Sequence, residues 1–465
     1  MNTEILTSTS RIPARPHPDA APLTYQQRWY LSYIDNLNFD FPSLATAIRL
    51  TGPLCIPSIE KSIRYAVERH EALRTRIVTG ANSFQAIEGV PDELLEVKDL
   101  SAQSSPIAEE EAKRCVNEFA DQPCKLVSDA IFKALLVKVQ ENDFVLVVTI
   151  HHIVSDGYSI HILFRDIVNA YKSIVAGSTP PLSPPAPQFP DYAAWQANFG
   201  DEWVKKQDSY WIEHLAGAKR IYVSKRERPK SGLQLRWQTT SVKLGLTESE
   251  RLRAWCSRES STLPMILLTA YIVTLSNRSG ERDVVIGTVA SGRHRRDLSN
   301  IIGFLAFPIY LRIQVGEADS FKELLGKVTR EYYSALSHQD YGCAQLKMVG
   351  AAHVYNPAFN WHPLANVAAN DGTVKYQIPQ GSDSIQLGPF PIKKKTMEFA
   401  LDEGRYARDC EPGLWITDSA SGISGQIFYQ QHQFSEEEAT SLGADYLALC
   451  RNICGKADEL ALTLC

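Results

Sequence analysis

FVLVVTIHHIVSDGYS, residues 144–159, is the stretch on which the reading of this chain turns. Phe144 to Ile150 is apolar on both faces of an extended chain, which suits a strand in the middle of a covered sheet. If the strand runs on to His152, alternation puts His152 on the face of Phe144, Leu146, Val148 and Ile150. His151 then shares the opposite face with Val145, Val147 and Thr149. Poor solvation at such a strand end disfavours the imidazolium and leaves the neutral ring that a general base needs. Asp156-Gly157 turns the chain into a helix starting near Ser159, with Ile160, Leu163, Ile167 and Ala170 on one stripe and Gly177 as its stop. An aspartate buried at that turn requires a partner, and an arginine is the natural one.

Spacing alone leaves alternatives open. On spacing alone, satisfied structural histidines at a strand end fit the same string better than a catalytic one does. A metal held by His151, His152, Asp156 and His161 fits less well, because adjacent strand residues face opposite ways and cannot easily share an ion. No metal site is expected.

Outward from this segment the chain alternates helices and strands. Ile59, Ile63, Ala66 and Val67 recur at helical spacing, a second helix covers roughly 107–119, and strands follow at 131–139 and 144–152 around the turn formers Asn142 and Asp143. STPPLSPPAPQFP, residues 178–190, holds six prolines and can continue neither a helix nor a central strand. Beyond it, a helix near 262–277, a strand at 283–288 and a helix around 321–337 resume the alternation. The expected division is a flexible lead-in at 1–21, a first lobe at 22–177, the connector at 178–190 and a second lobe at 191–465. A crossing loop is expected within 365–395.

Composition narrows the function. A chain of 465 residues exceeds one ordinary core, so two lobes are expected. With 48 basic and 53 acidic residues the formal charge is −5, a poor match for neutralising nucleic-acid phosphates. Nine cysteines without CxxC or CxxH pairs argue against a disulfide scaffold and for a reducing compartment. No apolar run resembles a signal peptide or is long enough to span a bilayer, so a cytoplasmic protein without membrane contact is expected.

IHHIVSDGYS resembles the HHxxxDG signature of nonribosomal peptide synthetase condensation domains, in the chloramphenicol acetyltransferase superfamily. RHEALRT at 69–75, FPDYAAW at 189–195, VVIGTVASGRHRRDLSNIIGF at 284–304 and HQDY at 338–341 resemble further motifs of that family, in its order. The resemblance runs from about Pro22 to near the end of the chain. It implies an α/β fold of two acetyltransferase-like lobes in a V-shaped pseudo-dimer. It implies that His152 is catalytic, deprotonating or positioning the acceptor, and that His151 and Asp156 are structural, Asp156 pairing with Arg293. Gly157 is expected to keep a tunnel open beside His152. The implied reaction moves an acyl or peptidyl group from the phosphopantetheine thioester of a carrier protein to an amine or hydroxyl. No permanently bound cofactor is expected.

Departures from the family pattern fall mainly on the acceptor side. Phe307-Pro308 stands where Asn-Thr is usual, Gly342-Cys343 where Pro-Phe is usual, and Arg28 lacks the usual spacing from its glutamine. Epimerisation domains, an alternative, typically continue HHxxxDG with Val-Ser-Trp, against Tyr158-Ser159-Ile160 here, although FNW at 359–361 resembles their Phe-Asn-Tyr. Recruiting domains of glycopeptide assembly lines lose the histidines that this chain keeps. With no carrier or adenylation segment recognised, a free-standing enzyme meeting an acyl or peptidyl carrier in trans is expected. Its acceptor would be a small molecule or carrier-bound. A non-catalytic carrier-docking protein is the alternative from a different class. The basic runs at Arg293–Arg296 and Lys393–Lys395 are candidate rims for an acidic carrier.

Overall fold

The computed structural model describes residues 11–37, 43–126, 129–180, 187–224, 234–341, 357–363, 377–380, 383–389, 398–400, 411–419, 421–459 and 461–463. The first half contributes β1 (Ala20–Pro22), α1 (Tyr25–Leu37), β2 (Leu44–Thr51), α2 (Ile56–Arg69), β3 (Thr75–Val78), β4 (Phe84–Ile87), β5 (Leu95–Asp99), α3 (Ser105–Ala120), β6 (Phe132–Gln140), β7 (Asp143–Ile150) and α4 (Gly157–Val175). Next come α5 (Phe189–Ala197), α6 (Asp201–Leu215), β8 (Gln234–Lys243), α7 (Leu246–Arg258), α8 (Leu263–Ser279), β9 (Asp283–Ala290), β10 (Phe307–Gln314) and α9 (Phe321–Leu336). The last elements are β11 (Ala358–Pro363), β12 (Gln377–Gln380), β13 (Asp383–Pro389), β14 (Glu398–Ala400), β15 (Gly413–Ser419), β16 (Gly422–Gln430) and α10 (Glu436–Lys456).

The fold is mixed α/β, built on one large sheet per half. The first runs β12-β13-β2-β7-β6-β5 and the second β10-β9-β11-β15-β16-β8-β14, with a small β1-β4-β3 sheet beside them. The run that opened the sequence is the middle of the first sheet: β7 lies antiparallel between β2 and β6, with Ile150 opposite Leu44 and Phe132. Phe144, Leu146, Val148 and Ile150 enter a core shared with α2 and α4, and Val145 and Val147 enter a second core under α3. Both faces are therefore covered, and each fully buried aliphatic side chain here contributes about 1.5–3 kcal/mol. In the second half, α7 to α10 pack against one face of the sheet. On the other face Val289 and Trp415 remain 44% and 38% exposed.

Two connections tie the halves together. The hairpin β12–β13 leaves the second half and joins the first sheet, where Gly388 pairs with Arg49 and Leu387 with Leu50. These strands fall within the span 365–395 expected to hold a crossing loop; the rest of that span lies outside the described residues, as does Lys393–Lys395. The segment 291–306 between β9 and β10 makes the second crossing. Its Leu298, Ile301, Ile302, Phe304 and Leu305 are buried in the core of the first half.

Two expected boundaries are corrected. The part of the lead-in that is described, from Arg11 on, is packed: Ile12 is 6% exposed within the first core, and the Arg15 side chain is 6% exposed between Glu71 and Asp191. Its proline- and arginine-rich composition reads as loop because its partners are distant in sequence. The second lobe also does not begin at 191. The prolines end in a helix capped by Gln188, and Phe189, Tyr192, Trp195 and Phe199 belong to the first core. Among the described residues no helix is long and apolar enough to cross a membrane.

Candidate active site

β7 stops at Ile150 because His151 makes a turn of its own. Its backbone N–H donates to Ile131 O at 2.9 Å and its Nδ1 accepts the Ile153 N–H at 3.1 Å. The Ser155 hydroxyl donates to His151 O at 3.0 Å, closing a 3-10 turn over His152–Val154. His151, Ile153 and Val154 are thereby buried, whereas His152 is turned partly outward and is half-buried. The strand alternation expected to place His152 on the face of Ile150 fails for this reason: the residue has left the strand. Its ring stands edge-on to Phe304 at 4.9 Å and faces Tyr30 at 6.2 Å.

Asp156 caps α4, which begins at Gly157, two residues earlier than Ser159. Its Oδ1 accepts the Ser159 N–H at 2.9 Å and the Ser159 hydroxyl at 2.8 Å, a capping box at the helix N-terminus. Across the seam Arg293 donates to Oδ2 from Nη1 at 2.7 Å and to Oδ1 from Nη2 at 3.0 Å, a bidentate pair. Leu305 and Ala306 add backbone N–H bonds to Oδ2 at 3.1 and 3.0 Å. The two side chains are 2% and 5% exposed. Burial opposes charge on Asp156, but the Arg293 charge and these hydrogen bonds outweigh it and hold the carboxyl below the ordinary range.

Two glycines set the path of the crossing segment, one where it folds on itself and one where it meets α5. Gly292 has φ +66°, and a Cβ there would lie 2.1 Å from Leu305 O. At Gly303 a Cβ would lie 2.3 Å from the Phe189 ring, while the Gly303 N–H donates to Ser159 Oγ at 3.1 Å. Gly157 differs: a Cβ built on it would meet nothing within 4 Å, so the start of α4 borders open space. Beside it the 46% exposed ring of Tyr158 stacks under Arg293, whose guanidinium carbon lies 4.7 Å from the ring centroid.

A second polar contact lies one residue on, between two residues of the second half. His294 Nε2 lies 3.4 Å from Asp340 Oδ2, and Asp340 O accepts from Gln196 Nε2 at 2.9 Å. RHEALRT lies behind the turn, where the buried His70 holds Asp166 of α4 at 2.8 Å. Burial pushes the His70 pKa down despite Asp166, so this ring is a neutral structural donor near pH 7. Among the described residues no group of three His, Cys, Asp or Glu is placed to hold a metal ion.

Comparison with known proteins assigns this architecture, since residues 18–459 match the Condensation domain family. The chain belongs to that family. It is 32% identical over 465 residues to a linear gramicidin synthase of Brevibacillus parabrevis, covering 98% of this chain but only 9% of that protein. The crystal structure of the X-domain from teicoplanin biosynthesis is similar with a TM-score of 0.78 at 23% identity, covering 97% of this chain and 99% of that one. A variant of the starter condensation domain of rhizomide synthetase, solved with C8-CoA, gives 0.74 at 18% identity, covering 96% and 97%. At such identities these two structures speak to the fold alone.

Within this condensation domain, His151, His152, Asp156, Gly157 and Arg293 converge on one turn at the seam, while His161 lies a full helical turn into α4. Tyr30, Phe304, Ser159 and the Leu305–Ala306 amides belong to the same site and were not singled out from the sequence. Ser159, three residues after Asp156, carries a legible capping signal. Tyr30 and Phe304 carry none, because their ring contacts with His152 span more than a hundred residues of chain.

Proposed function

We propose that this condensation domain transfers an acyl or peptidyl group from a carrier's phosphopantetheine thioester to an amine or hydroxyl, with His152 as the proton acceptor. The observation that carries this reading is the half-buried His152 ring, turned off the strand against Tyr30 and Phe304, with the buried Asp156–Arg293 pair fixing the helix start that follows it. In the step proposed, the acceptor nitrogen or oxygen bonds to the acyl carbon, the carbon–sulfur bond breaks, and His152 takes the acceptor's proton. The thiolate leaves and is protonated. The thioester is already activated, so no covalent enzyme intermediate is required, and positioning supplies much of the rate. C8-CoA, the ligand of the structural neighbour above, presents its acyl group on the same kind of arm.

The test mixes purified protein with acyl-loaded carrier and a panel of amines and alcohols, and follows amide or ester by mass spectrometry. His152→Ala is expected to slow product formation by about a hundredfold or more. Formation at the wild-type rate in that variant would remove His152 from the role. A docking protein without turnover is the second reading, favoured by likeness to an X-domain solved as a complex with OxyB. Saturable carrier binding without product from any acceptor selects it.

A further inference from the structure

The segment 291–306 supplies Arg293 and Phe304 to the His152 turn, and its inner side is held by Asp156 and Ser159. Its outer side is held by an arm that no motif describes. The Ile12 N–H donates to Asp297 Oδ2 at 3.1 Å, and Asp297 is gripped by Arg295 Nε and Nη2 at 3.1 and 3.0 Å. The Ile12 side chain is buried in the cluster that holds Leu298, Ile301, Ile302 and Phe304. Three residues on, Arg15 Nη1 reaches Glu71 Oε2 at 2.7 Å and Asp191 Oδ1 at 2.9 Å, and the Arg15 N–H donates to the same Asp191 oxygen at 3.1 Å. The guanidinium also donates to the carbonyls of His17 and Pro18, which bends the arm around its own side chain. Asp191 in turn accepts the Gln188 N–H and so fixes the start of α5, whose Phe189 ring is the surface on which Gly303 rests.

From this double attachment we infer that residues 11–18 are a positioning strap, with Arg15 and Ile12 acting through Asp191 and Asp297 to set where the segment 291–306 lies against the His152 turn. Electrostatics favours a tight closure. Arg15 is the counter-charge of two partly buried carboxylates, and removing it leaves Asp191 without an ion partner among the described residues and Glu71 with only a 3.8 Å contact to Arg74. A displacement of about 1 Å in a positioning element is enough to cost a large factor in rate. The kinetic consequence rests on the acyl-transfer reading, whereas the structural consequence does not.

Hydrogen exchange on the full chain, with the carrier assay alongside it, tests the strap. Arg15→Gln and Ile12→Ala each remove one arm contact. Each is expected to speed amide exchange within 291–306, while the central strands 132–140 and 143–150 keep wild-type protection. Turnover is expected to fall about tenfold with the KM for loaded carrier little changed, and Arg15→Lys to recover part of it. Unchanged exchange in 291–306, or loosening spread evenly over both sheets, overturns the proposal. If Arg15→Gln cannot be recovered folded, Ile12→Ala decides on the same criteria. If the wild-type protein turns over nothing, the acyl-transfer reading fails, and the exchange pattern still decides the strap.

Discussion

Arg293 and His294 are neighbours in the chain, each reaches a carboxylate, and the two contacts are opposites. Arg293 meets Asp156 in a bidentate pair with both side chains almost wholly buried, and four further hydrogen bonds saturate the carboxylate. His294 approaches Asp340 at 3.4 Å with 34% and 21% of the two side chains exposed, and Asp340 Oδ1 has no hydrogen-bond partner among the described residues. Burial and compensation separate them. At Asp156 the donors outweigh desolvation and the carboxyl is held low. At Asp340 burial wins over the charges of His294 and Arg295, and the carboxyl is pushed up. A frame that must keep one shape is built the first way, and a contact that tolerates change can be built the second way.

The largest break in this contrast comes from Arg293→Ala. It leaves a buried carboxylate without its counter-charge, and denaturant unfolding is expected to show a loss of about 3–5 kcal/mol. Product formation should fall with it, since Leu305, Ala306 and Phe304 are held by the same pair. A double variant, Asp156→Leu with Arg293→Met, sharpens the point, because replacing both charges with apolar groups is expected to restore part of the stability but not the activity. Equal losses in the single and double variants would show that packing rather than charge makes the seam.

How much of this was legible in the amino acids differs from residue to residue. Phe144 to Ile150 announced a central strand because both its faces are covered, so a purely local pattern carried the answer. His152 was misplaced onto that strand because the turn is closed by side-chain hydrogen bonds at His151 Nδ1 and from Ser155 Oγ, which no periodicity encodes. The Asp156–Arg293 pair was reachable only through family resemblance, since its partners stand 137 residues apart. The arm was read as loose lead-in for a similar reason: Arg15 finds Asp191 at a separation of 176 residues, and composition sees only prolines and polar residues. The same distance dependence hid Tyr30 and Phe304 and put α5 on the wrong side of the boundary.

A smaller effect follows from pH at the first pair. Asp156 has a lower pKa folded than unfolded, so its contribution is complete above the unfolded value of about 4 and is lost as pH falls through the window between the two. Acid titration of unfolding free energy should show that loss below about pH 4 in the wild type, and a shallower one in the double variant that lacks both charges. Parallel curves would mean that other carboxylates dominate acid unfolding.

The smallest effect belongs to the second pair, and its sign is reversed. With its pKa raised by burial, Asp340 binds its proton more tightly folded than unfolded. Its penalty is therefore absent at pH below the unfolded value and grows as pH rises through the folded one. Asp340→Asn keeps the shape, removes the charge and forfeits only a partly exposed contact with His294, a class of pair worth about 0–1 kcal/mol. At pH 7 the variant should melt at or slightly above the wild-type temperature, with the advantage shrinking as the buffer is taken towards pH 4. His294→Gln should change the melting temperature little at either pH, because burial rather than the imidazole sets the state of Asp340. A clear drop in melting temperature for Asp340→Asn at pH 7 would mean that His294 and Arg295 compensate this carboxylate as fully as Arg293 compensates Asp156, and the contrast between the two contacts would vanish.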